Sequence, residues 1–261
     1  MVQDYTAIFD ASAHLLQCQT ACNLCGKADI ETRPMTRDRY GFAVRVVTCE
    51  CGLVYLNPRM TKEAYKDFYQ GPYRALVSAF NGREINAQTL KPEQREYAQR
   101  LGDLLQPYLD RFMAQSLLDI GGSTGTVAAM LGSRFKISGT VLDPSEDELK
   151  EASKAGLTTI LGTMEDFTPD KRYDLILLCQ TVDHLLDIMG TLEKIHDCLA
   201  IDGLFFVDIV DFNVTKEIKI DHPFNLTPKT MKAYLDKAGF AVLKEHRADD
   251  GKHVGFVCEM A

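Results

Sequence analysis

From residue 116 onward, short apolar runs alternate with segments whose apolar residues recur every three or four positions. The runs cover 117–120, 136–142, 157–161, 173–179 and 203–208. Each is short and rich in aliphatic residues, which predicts a strand. The segments between them place Val127, Met130 and Leu131, then Leu149 and Ala152, then Ile188, Leu192, Ile195 and Leu199 on single helical faces. Thr227 and Pro228 read as the N-cap and first residue of a last helix, with face Met231, Tyr234, Leu235 and Ala238 and a stop at Gly239. Two further runs, 240–242 and 254–258, bring the strands to seven. Strands alternating with one-faced helices predict an α/β domain over 116–261, its sheet mostly parallel and covered on both faces.

The pattern before residue 116 is different. Residues 61–115 form a helical linker or lid, with Tyr65, Phe68 and Tyr69 on one helix and Tyr97, Leu101, Leu104 and Tyr108 on another. Gly71-Pro72-Tyr73 and Asn81-Gly82-Arg83 break the chain between them, and Tyr69 and Tyr73 are placed to pack there or to roof a site. Residues 1–20 carry a weak helical pattern at Ile8, Leu15 and Leu16. Two short strands, 42–47 and 53–56, then sit between and after two cysteine pairs, Cys22/Cys25 and Cys49/Cys51. Paired thiols joined by short strands describe a zinc-ribbon-like module over 1–60, in which four thiolates close a structural site. The second pair is C-x-C, a strained spacing, so Cys18 or His14 is a substitute ligand if Cys49 is displaced.

Composition narrows the class. The chain has 261 residues, 46% hydrophobic and 25% charged, ordinary values for a soluble globular protein. Eight cysteines without a basic or apolar leader favour reduced thiols or metal over disulfides, and a cytoplasmic location is expected. The longest apolar run is far too short to span a bilayer. A net charge of −8 argues against a nucleic-acid surface, which needs clustered Lys and Arg.

The first strand of the α/β part runs into Asp119-Ile120-Gly121-Gly122-Ser123-Thr124-Gly125. A glycine loop between strand and helix lets a ligand approach the backbone, and Asp119 can hold a cationic group such as an amine. The G-x-G-x-x-G spacing of dinucleotide sites is absent. The segment resembles instead the acidic-x-Gly-x-x-x-Gly loop of class I S-adenosylmethionine (SAM)-dependent methyltransferases, with Ser123 where a middle glycine is usual. Further segments are similar to that family in order: Asp143 after the second strand, Gly162 to Phe167 after the third, Gln180-Thr181-Val182-Asp183-His184-Leu185 after the fourth, and Leu199 to Leu204 entering the fifth. The likeness covers about 92–261 and implies a Rossmann-like fold. The front half, with Cys22-x-x-Cys25 and Cys51-Gly-Leu-Val-Tyr-Leu-Asn-Pro-Arg59, resembles a bacterial branch with an N-terminal zinc module that includes sugar C-methyltransferases.

The resemblance implies SAM as cofactor. Asp119, Gly121, Gly122 and Gly125 would hold its methionine part and Asp143 its ribose, a position where an NAD site would also carry an acid. Met164 with Glu165 or Asp166 would lie at the adenine, and Gln180 beyond the fourth strand. Zinc would sit on Cys22, Cys25, Cys49 and Cys51. The acceptor would be a small molecule, such as a sugar or natural-product intermediate. An rRNA base methyltransferase with a zinc module and an inactive SAM-binding scaffold are the alternatives. The long connection 212–226 should form the acceptor pocket. His222 within it is the candidate general base, Asp208 and Asp211 are rivals for acceptor binding, and His184 is a packing or hydrogen-bonded residue.

Overall fold

The computed structural model of the protein describes residues 5–15, 17–28 and 35–261. In chain order its strands are β1 (Met35–Arg37), β2 (Ala43–Thr48), β3 (Val54–Leu56), β4 (Ser116–Ile120), β5 (Ser138–Asp143), β6 (Thr158–Leu161), β7 (Tyr173–Leu178), β8 (Leu199–Val210), β9 (Phe224–Asn225), β10 (Phe240–Arg247) and β11 (His253–Met260). The helices are α1 (Ala11–His14), α2 (Lys62–Gln70), α3 (Pro72–Asn81), α4 (Ala87–Leu109), α5 (Thr126–Phe135), α6 (Glu146–Lys154), α7 (Ile188–Cys198), α8 (Phe212–Thr215) and α9 (Pro228–Lys237).

The main sheet has the order β10-β11-β8-β7-β4-β5-β6. Its five inner and right-hand strands run parallel, and β10 and β11 close one edge antiparallel. The period of two along each strand divides the core into two layers. Leu117, Leu175, Leu177 and Phe206 face α4, α5 and α6, while Leu118, Ile176, Leu178 and Phe205 face α7 and α9. This is the predicted seven-stranded α/β domain, apolar on both faces because both are covered.

A second sheet, β1-β2-β3-β9, is built from the N-terminal segment and closed by two residues of the long connection. Val54 pairs with Asn225 and Tyr55 with Phe224. Asp38 adds a second tie, its carboxylate accepting from the amides of Tyr40, Phe42 and Ile220 at 2.8–3.0 Å. Cys22, Leu24, Val47, Cys49, Leu53 and Tyr55 join the same apolar cluster as α7 and α9. The cysteine-rich segment and the connection 212–226 therefore share a core.

Several local expectations change. An extra helix, α3, occupies the stretch between the predicted breaks: Gly71 ends α2, and Pro72, which needs no amide partner at a helix start, opens α3. Gly82, at φ +63°, then ends it in the left-handed region. Ser145 caps α6, its hydroxyl accepting from the Glu148 amide at 3.4 Å, while the Glu148 side chain turns to Arg74 of α3. The fifth strand begins at Leu199, not Gly203, because the chain continues extended out of α7 before a shift in its pairing with β7. Among the described residues of 1–20 only α1 is helical, and Leu16 lies outside them.

Candidate functional site

The carboxyl ends of β4, β5, β7 and β8 meet at the glycine loop. Asp119 ends β4 with 1% exposure, and its Oδ2 has no hydrogen-bond partner among the described residues. Burial, reinforced by the negative charge of Asp143, pushes its pKa up to about 7. A buried carboxylate oxygen without a donor is costly unless a ligand supplies one. Gly121 and Gly125 both lie in the left-handed region, at φ +69° and +70°. A side chain at Gly121 would come within 2.5 Å of Thr181 Oγ1, and one at Gly122 within 2.7 Å of the Asp119 carboxylate. The loop's glycines thus make room for Asp119 and for the segment after β7. Ser123 keeps the turn at φ +53°.

Asp143 stands opposite, at the end of β5. Its oxygens accept from the Ser123 amide at 2.9 Å and the Ser145 amide at 2.8 Å, and burial, then Glu148, raises its pKa to about 6. Each oxygen retains a lone pair for a hydroxyl donor. Asp119, Asp143 and the loop are therefore brought together, with Gln180 and Thr181 beside them. Gln180 is also turned to φ +50°, its amide donating to Asp208 Oδ1 at 2.6 Å.

The other sequence candidates are placed differently. Met164 is 1% exposed within the apolar core. Glu165 accepts from the Leu186 amide at 3.1 Å, and Lys194 gathers the carbonyls of Met164, Glu165 and Phe167. Asp208 takes the Tyr97 hydroxyl at 3.0 Å as well as Gln180, and Asp211 pairs with Arg247 at 2.8 Å while capping α8. Both rivals for the acceptor already have protein partners.

His222 has one too, of a useful kind. Its Nδ1 lies 2.7 Å from Asp183 Oδ2, and its ring meets that of His184 edge-on at 4.4 Å between centroids. His222 holds the Asp183 carboxyl well below the usual carboxylate range against the effect of burial. Burial and His222 together depress His184 to about 4, so it is neutral, and its Nδ1 contacts the Tyr69 hydroxyl. Tyr69 stacks obliquely on Tyr73 at 4.7 Å. A small cavity opens beside this cluster, bordered by Asp183, His222, Lys219, Thr215, Phe224 and Asn225. Asn225 is 5% exposed, and its Nδ2 lacks a partner among the described residues.

Sequence alone gives no signal for several of these roles. Gln94, on α4, holds the loop by bonds to Ser123 Oγ and Thr124 Oγ1, at 3.2 and 2.6 Å. Tyr97, Asn225 and the pairing of Asp183 with His222 also depend on residues far apart in the chain. The one available hint is Asp183 itself, which lies in the segment matched to the family after the fourth strand.

At the other end, the four cysteine sulfurs converge. Cys22 Sγ is 3.6 Å from Cys51 Sγ, and Cys25 Sγ is 3.5 Å from Cys49 Sγ. Sulfurs bound to one tetrahedral ion at about 2.3 Å lie about 3.8 Å apart, so the set fits zinc. Cys49 is not displaced, and Cys18 is exposed outside the cluster. The turn within the first pair is tied down by Asn23, whose side chain accepts from the Tyr234 hydroxyl and the Met189 amide and donates to Asp187.

Comparison with known proteins bears on the family and the fold. The matched part of the chain is 32% identical over 102 residues to the probable (S)-tetrahydroprotoberberine N-methyltransferase 2 of Papaver bracteatum, covering 36% of this chain and 28% of that protein. It is 27% identical over 118 residues to the (S)-coclaurine N-methyltransferase of Papaver somniferum, covering 41% and 34%. The chain thus spans about a third of the length of these curated relatives. In fold it is similar to an S-adenosylmethionine-dependent methyltransferase from Clostridium acetobutylicum, with a TM-score of 0.56 at 13% identity over 72% of this chain and 96% of that one. DesVI of Streptomyces venezuelae aligns with a TM-score of 0.53 at 19% identity over 65% and 92%. A family model described as a methyltransferase domain matches residues 92–245, more than half of the sequence, and the chain belongs to that methyltransferase family.

Proposed function

We propose that the protein transfers a methyl group from SAM to a small-molecule acceptor. The observation that carries this reading is the buried, partnerless Oδ2 of Asp119 beside the glycine loop. An ammonium group is the natural partner for it, and the methionine part of SAM carries one. Asp143 would receive the ribose hydroxyls, and Gly121, Gly122, Gly125 and Gln180 would shape the backbone around the cofactor. Met164 and Glu165 would contribute to the adenine site through main-chain atoms, since their side chains are committed to the core and to Leu186.

Bound SAM supplies an activated methyl on a sulfonium. Transfer would be an in-line displacement, in which the electron pair of the carbon–sulfur bond would stay with sulfur as the acceptor takes the methyl. The leaving thioether is neutral, so positioning supplies much of the rate. His222 is the base for an acceptor that must lose a proton. Asp183 takes the Nδ1 proton in a hydrogen bond, which leaves the Nε2 lone pair to receive the acceptor's. The cavity lining mixes Asp183, Lys219, His222 and Asn225 with Val210, Phe212 and Leu226, which suits an acceptor such as a sugar or an oxygenated natural product that carries both polar and apolar surface. The plant relatives are N-methyltransferases by name. Zinc on the four cysteines would fix the fold of the N-terminal sheet.

The test is calorimetry with SAM and its demethylated product, using NAD as the control. SAM binding and no NAD binding is expected, and the converse would overturn the reading. Turnover of labelled SAM with metabolite fractions that accumulate without the protein would then identify the acceptor.

A further inference from the structure

The cluster around His222 has a second feature that base catalysis does not use. Asp221 is 2% exposed, and its Oδ1 has no hydrogen-bond partner among the described residues. Its Oδ2 faces two imidazoles, 3.7 Å from His222 Nε2 and 4.0 Å from His184 Nδ1. Those separations are too long for hydrogen bonds. They fall within the span of two bonds to one ion, which is about 3.4 Å for bonds of about 2.1 Å at the tetrahedral angle and about 4.2 Å when straight. The other nitrogen of His222 is already oriented by Asp183 at 2.7 Å, the carboxylate–imidazole arrangement that stands behind metal ligands.

We propose that Asp221, His184 and His222 form a second site for a divalent cation of the zinc type, with Asp183 as the positioning residue behind His222. Two imidazoles and a carboxylate suit such an ion, and three protein ligands leave a position open to water or a ligand oxygen. The present occupants would be displaced. The Tyr69 hydroxyl leaves His184 Nδ1, and the Lys219 ammonium, 3.5 Å from His222 Nε2, swings into the cavity. An ion on Nε2 takes the lone pair that would accept the acceptor's proton, so metal binding and methyl transfer exclude each other. That consequence rests on the His222 base reading, whereas binding of the ion does not.

The probe is cobalt(II), added to protein whose four-cysteine site is already filled with zinc. One further equivalent is expected, with weak visible bands from nitrogen and oxygen ligands and no thiolate charge-transfer absorption. His184→Gln, His222→Gln and Asp221→Asn each remove that equivalent, and Asp183→Asn weakens it about ten- to a hundredfold. Should a histidine variant fail to fold, paramagnetic broadening of the His184 and His222 ring resonances in the unaltered protein decides the case. No second equivalent, or one that persists in both histidine variants or leaves those resonances sharp, overturns the site. SAM calorimetry on the same samples reports separately on the methyltransferase reading.

Discussion

Asp119 makes the most searching test of the cofactor site. Its carboxyl is raised from 3.8 to about 7, first by burial and then by Asp143. A folded-state pKa above the unfolded one means that this group's contribution to stability is fully present below about pH 4. It is lost as the pH rises through about 7. Binding of an ammonium has the opposite preference, since it selects the ionised carboxylate. Affinity for the demethylated product of SAM, which keeps the amine, should therefore rise with pH and level off above about 7. At pH 6 about a tenth of Asp119 is ionised, so binding should be about tenfold weaker than on the plateau, equivalent to about 1.4 kcal/mol. Asp119→Asn removes the charged hydrogen bond, worth roughly 1.5–3 kcal/mol, and lowers the plateau about ten- to a hundredfold. It should also flatten most of the profile, leaving the smaller contribution of Asp143, whose pKa is raised to about 6. Calorimetry from pH 5.5 to 8.5, in buffers of different ionisation enthalpy, gives both the affinity and the protons released. A pH-independent affinity in the unaltered protein, or an Asp119→Asn variant that binds equally well at pH 8, would refute the assignment.

Other outcomes follow from single contacts. Gly122→Ala places a methyl within 2.7 Å of the Asp119 carboxylate, so cofactor affinity should drop at least about tenfold while the thermal midpoint changes little; comparable losses in both would point to a structural role. Tyr97→Phe removes a donor from Asp208, whose pKa burial raises to about 6, and should cost about 1–3 kcal/mol. Because the lost bond favours the ionised acid, the cost should be larger at pH 8 than at pH 5, as measured by urea unfolding. The protein should contain at least one equivalent of zinc by elemental analysis, and Cys22→Ser should release the cysteine-bound equivalent and lower the thermal midpoint. Hydrogen exchange should then accelerate at Phe224 and Asn225, which pair with β3 and border the cavity beside His222. Unchanged exchange there would separate the metal from the cavity.

What the sequence determined by itself is the architecture and its chemical landmarks. Strand and helix periods are local properties, and a run such as 173–178, apolar on both faces, has few alternatives to a covered central strand. Asp119, Asp143 and the glycines between them are close in the chain, so a strand and one turn suffice to gather them. The same holds for each cysteine pair, although only the folded chain brings the two pairs together and excludes Cys18. Tertiary structure decided the rest, because the partners are distant in sequence and no period encodes their meeting. Met164 went to the core, and Asp208 and Asp211 were taken by Tyr97 and Arg247. His222, one loop histidine among several polar residues, became a distinct chemical group only when Asp183, some forty residues earlier, was set against its Nδ1. Two residues, Phe224 and Asn225, completed the N-terminal sheet, because a free strand edge next to a connection with unpaired amides is satisfied most simply by joining them.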